Sequence, residues 1–133
     1  MVTLGMAILI ALFATTGFGQ AMEEPTEVVA PAYPLLLLHG SQSGSVTLKL
    51  EIDKSGVVSS ATLKEGSKLL FQVAKRAALK WKYAASAKAS RRVCFVTFKF
   101  TLLASDASPE DARVVFTLPN VVEIRERRIE IRP

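Results

Sequence analysis

The stretch "RRVCFVTFKFTL", Arg91 to Leu102, decides the fold. Cys94, Val96, Phe98, Phe100 and Leu102 share one parity, and Val93, Phe95, Thr97, Lys99 and Thr101 share the other. An alternation of this length is the pattern of a β-strand with one face on a core. Two arginines open the strand and a lysine sits within it, and such charges commonly guard an exposed sheet edge. The reading is therefore a strand with the Cys94-to-Leu102 parity turned inward, toward the helix. Cys94, the chain's single cysteine, then packs as a small hydrophobe and can form no intrachain disulfide.

Working back toward the N-terminus, "SVTLKLEID" (Ser45 to Asp53) alternates in the same way, and "VVSSATL" (Val57 to Leu63) follows it after "DKSG". Asp53 can hydrogen-bond its own backbone and Gly56 can take positive φ, so the two segments form a hairpin. A calcium loop starting at Asp53 is excluded, since the glycine comes too early and later ligand positions hold Val and Ser. Ser67 is placed to cap a helix running from about Lys68 to Tyr83. Leu70, Val73, Ala74, Ala77 and Trp81 form its apolar stripe; Leu79 falls on the polar side and Phe71 at the margin. The fold class is α+β: a small antiparallel sheet, made of a hairpin and a third strand, packed on one helix. After the polar loop that begins at Ala104, "RVVFTLP" and "VVEIRERRIEIR" are strand-like. They form either an added hairpin or a segment draped over Phe71 and Leu79.

The chain has 133 residues, half of them hydrophobic, which is room for one ordinary domain. "LGMAILIALFA" (Leu4 to Ala14) carries no charge and has the length of a secretory h-region, so residues 1–21 are read as a signal peptide or a membrane anchor. Residues 22–34 contain Pro25, Pro31 and Pro34 and read as an extended linker of short reach, on the order of 35 to 40 Å. The domain then occupies residues 35–103, and residues 104–133 hold the loop and the β extension. Export places the protein in the periplasm or cell envelope. An uncleaved N-terminal segment would be its membrane contact.

The net charge is +5, and it is concentrated: from Lys64 to Arg92 nine cationic side chains stand against one acidic residue, Glu65. Basic residues interleaved with Trp81, Tyr83 and Phe95 resemble a nucleic-acid surface in composition. Export argues against nucleic acid and leaves an anionic envelope surface or acidic protein segments. Catalytic inventories are thin. "GSQSG" has Gln42 where a nucleophile elbow needs serine, His39 is the only histidine, and Gly40 and Gly44 lead into a strand rather than a phosphate-binding helix. We expect no metal, no cofactor and no enzymatic activity.

In order, the chain shows Tyr33-Pro34, Gly44-Ser45-Val46, Ile52-Asp53 with Gly56-Val57-Val58, Gly66-Ser67, and Leu70 with Ala74 and Ala77. Trp81-Lys82-Tyr83 and the alternating Val96, Phe98, Phe100 and Leu102 complete the series. In this order and spacing, over residues 33–102, the sequence resembles the TonB C-terminal domain family, with Tyr33, Pro34, Gly44, Gly56, Trp81 and Tyr83 as motif positions. Ala85 stands where the family usually has proline. The resemblance implies a domain that binds extended segments of outer-membrane receptors by strand addition. The partner-binding edge would then be Arg91, Arg92, Val93, Phe95, Thr97 and Lys99, its charges keeping it from self-association and steering polar or acidic partner segments. The expected function is an exported protein-binding module. The alternative is a structural, self-associating envelope protein, for instance a homodimer.

Overall fold

A computed structural model of the chain describes residues 23–35, 43–86 and 92–129. Residues 1–21, His39 and Arg91, each given a role or a reading above, lie outside them. The expected hairpin forms from β2 (Gly44–Ile52) and β3 (Val58–Gly66). Asp53 closes the turn: its Oδ1 accepts from the amides of Ser55 at 2.9 Å and Val57 at 3.0 Å, and from the Ser55 hydroxyl at 2.7 Å. Gly56 takes φ 94°, where a side chain would be strained.

Ser67 caps the helix α1 (Lys68–Ala78), its hydroxyl accepting from the Leu70 amide at 3.2 Å. Leu70, Ala74, Ala77 and Ala78 are its buried residues. The helix stops well before the expected Tyr83. The Leu79 amide still reaches the Lys75 carbonyl, but Lys80 and Trp81 bond only three residues back, to Ala77 and Ala78, which tightens the last turn. Beyond it, Lys82–Tyr83 is drawn into a short strand, β4, paired antiparallel with β1 (Pro25–Glu27), and Lys82 also bridges to Val57. Competing strand partners, which a helical period cannot reveal, end the helix.

β5 (Arg92–Leu103) pairs antiparallel with β2 in the register Gly44↔Phe100 to Ile52↔Arg92. Its inward parity is as expected: Val96, Phe98 and Phe100 are buried, with Cys94 and Leu102 packed against the core. The sheet is larger than expected. After a one-turn 3-10 helix at Pro109–Asp111 come β6 (Val114–Thr117) and β7 (Val121–Arg127), giving the strand order β3-β2-β5-β7-β6. β7 runs parallel to β5, and every other pairing is antiparallel, so the sheet is mixed. Of the two readings of the C-terminal piece, the added hairpin is the one seen. Leu79 remains about two-fifths exposed rather than covered by it.

The core lies between the sheet and a layer made of α1 and the N-terminal segment. Trp81 stacks edge-on against Phe98 at 5.8 Å, and Tyr33 against Phe100 at 5.5 Å. Val122 and Ile124 of β7 extend this core.

Candidate functional site

The expected binding margin was the far side of β5, and the structure divides it in two. From Thr97 to Leu103, β7 already lies alongside, in the register Thr97↔Val121 to Leu103↔Arg127. Thr97 and Lys99 are therefore inside the sheet, a correction to the reading of this stretch as an edge. Its cause is the chain's own later segment, whose Val122 and Ile124 gain burial by joining the core. From Arg92 to Val96 the situation differs: β2 pairs on one side, and no described strand pairs on the other.

Backbone direction in that open half follows from a single bond. The Thr97 amide donates to the Asn120 carbonyl at 2.9 Å, on the β7 side, while the Thr97 and Thr47 hydroxyls meet at 2.9 Å across a pair that exchanges no backbone bonds. Val93 and Phe95 have the same parity as Thr97, so their N–H and C=O groups also point away from β2. Their side chains stand on the face opposite the helix, each more than two-fifths exposed, with the Lys64 ammonium over the Phe95 ring at 5.6 Å from its centroid.

The charges expected to guard an edge have other work. Arg92 is buried; its guanidinium donates to Glu23 Oε1 at 2.7 Å and to the Asp53 carbonyl at 2.9 Å. Lys99 sits in register with Glu123, and its charge helps to hold that carboxyl below its usual range. The larger cause is the hydrogen bond from Thr101 Oγ1 at 2.7 Å, with Arg125 adding another at 3.0 Å.

Sequence reasoning also missed the strap. Residues read as a linker lie on the domain instead: β1 pairs with β4, Pro25, Pro31 and Tyr33 are buried, and the Trp81 indole donates to the Val29 carbonyl at 2.8 Å. Glu23, bound to Arg92, fastens its beginning. Each of these fasteners is a contact distant in sequence, so composition alone gave no sign of them. Among the motif positions, Tyr33 and Trp81 build the core, Pro34 is half-buried, and Gly44 begins β2 close to Leu70. Tyr83 accepts a hydrogen bond from the Cys94 thiol at 3.3 Å. Burial pushes both the Tyr83 hydroxyl and the Cys94 thiol upward, which keeps the thiol protonated and unreactive.

A family model described as Gram-negative bacterial TonB protein C-terminal matches residues 29–102. The chain belongs to the TonB C-terminal family. That span holds the second part of the strap, the β2–β3 hairpin, α1, β4 and nearly all of β5; β6 and β7 lie beyond it. TonB C-terminal domains are protein-interaction domains of the Gram-negative envelope. No curated protein and no solved structure matches the chain.

The Asp53 turn carries a pH prediction. Hydrogen bonds from Ser55 and Val57 hold its carboxyl below the usual range, as Thr101 and Arg125 do for Glu123. Depressed carboxyl values stabilise the folded state above the unfolded-state values, about 3.9 for Asp and 4.3 for Glu, and that contribution is lost as pH falls through the lower folded values. Urea midpoints should therefore be flat above about pH 5 and fall in acid, with Asp53→Asn showing a shallower acid limb.

Proposed function

We propose that this TonB C-terminal domain is an exported binding module that takes up an extended segment of an envelope or outer-membrane transport protein by strand addition beside Arg92–Val96. The observation carrying the reading is the half-open side of β5, where no described strand pairs before Thr97. An incoming strand would lie end-on to β7, along five residues or about 16 Å. Val93 and Phe95 offer it two N–H and two C=O groups, and their exposed side chains give it an apolar surface. Each backbone bond nets about 0.5–1.5 kcal/mol, so the contact is modest once association costs are subtracted. Displacing β7 to lengthen the slot would expose Val122 and Ile124, at about 1.5–3 kcal/mol each, which favours use of the open half alone.

Proline at position 93 tests this. Val93→Pro removes an N–H that points away from β2 and leaves that ladder intact, a place where proline is tolerated. Capture of partners from outer-membrane extract should fall at least about tenfold, the equivalent of ~1.4 kcal/mol, with the thermal midpoint nearly unchanged. Undiminished capture by a folded Val93→Pro chain would refute strand addition at this place.

The second reading, self-association in the envelope, draws on the outermost strand. β6 exposes Val114 and Phe116, and Leu118 just after it, beside an edge that no described strand pairs. Light scattering over a range of concentrations separates the two: the binding module stays monomeric.

A further inference from the structure

The cationic stretch of the sequence acquires a definite placement on α1, which carries Lys68, Lys75 and Arg76, followed at once by Lys80, and has no acidic residue. None of these four is in an ion pair with any described carboxylate; the described ion pairs belong to Arg92 and Arg125. Leu69 and Leu79 are each about two-fifths exposed among them. A helix face with cations around isolated leucines is the composition of a surface that lies against anionic lipid.

Beside this face there is a recess of about 200 Å³ between the strap and the helix. Val29, Pro31, Val73 and Ala77 supply apolar walls, and Arg76 and Lys80 are the two cations lining it. Both side chains line the same recess, so both can reach a single anion. Apolar walls with two unpaired cations match an amphiphile carrying one phosphodiester, and match poorly a fully polar acidic peptide, which would leave those walls unfilled.

Glu27 pairs with Lys82, Pro25 with Tyr83, and Glu23 is bound to Arg92, so the strap enters the domain beside the start of β5 and passes β4 on its way to the helix. Only residues 15–22 separate the apolar run Leu4 to Ala14 from the docked strap.

We propose that the outer face of α1 docks on an anionic phospholipid bilayer, with one lipid phosphodiester held between Arg76 and Lys80. This interaction is independent of strand addition, which uses the opposite face and margin of the sheet. The cations on the face supply long-range attraction, and Leu79 enters the headgroup layer.

The test compares binding of the full chain to vesicles of phosphatidylcholine alone and of phosphatidylcholine with about a quarter phosphatidylglycerol. Any contribution of the N-terminal apolar run is common to both. Wild-type chain should partition at least about tenfold more strongly onto the anionic vesicles, and high salt should remove the excess. Arg76→Gln with Lys80→Gln, both exposed positions, should remove most of the preference while leaving the circular dichroism spectrum unchanged. A separate variant, Leu79→Trp, should shift its emission to the blue only on anionic vesicles. Equal partitioning of wild-type chain, an unchanged preference in the double variant, or equally tight binding to soluble polyglutamate would each overturn the proposal.

Discussion

Replacing Trp81 with alanine should cost about 3–5 kcal/mol, a large part of the stability of a domain this size. The indole is essentially inaccessible, stacks on Phe98 and donates to the Val29 carbonyl. Its loss opens a cavity under α1 and releases the strap at the same time. Trp81→Phe separates the two effects, since it retains most of the apolar volume but leaves the Val29 carbonyl without its donor. That variant should lose about 1–3 kcal/mol and show earlier proteolytic cleavage within the strap. Denaturant midpoints give the energies, and a midpoint for Trp81→Ala within about 1 kcal/mol of wild type would contradict the core described above.

The second large effect is expected at Gly56. Its φ of 94° strains any residue with a Cβ, and an added Cβ would fall 1.9 Å from the Tyr83 carbonyl oxygen. That neighbour does not yield easily: Tyr83 is held by β1, and its amide bonds the Gly56 carbonyl at 2.8 Å. Positive-φ strain of about 1–3 kcal/mol and overpacking of similar size add to several kcal/mol for Gly56→Ala. The expected result is a chain largely unfolded at 37 °C by circular dichroism. A loss near 1 kcal/mol would mean that the turn can move away from Tyr83.

What the sequence made legible was local. The Asp53 turn, the Ser67 cap and the inward parity of β5 each follow from residue chemistry within a few positions, and each is found as expected. The end of α1 was misplaced because Trp81 keeps helical spacing with Ala74 and Ala77; strand partners far away in the sequence redirect it. The strap looked like a free linker because prolines report an extended backbone and not what it lies on. Arg92 was read as an edge guard because an arginine at a strand start looks the same whether it faces water or Glu23. β7 was visible as a strand, blurred by the Val121-Val122 pair, but its parallel seat beside β5 is set by the burial of Val122 and Ile124, which has no local signature.

That parallel seat has a kinetic consequence. Parallel neighbours are joined only by an excursion of the chain, here from Leu103 through β6 to Val121, so β7 can seat on β5 only after β6 has been made. In a polypeptide synthesised from its N-terminus, everything up to β5 can assemble while residues 121–127 are still missing, and the second half of β5 then stands bare. Residues 121–127 thus act as a built-in shield whose late arrival ends the interval in which another polypeptide could wrongly take their place.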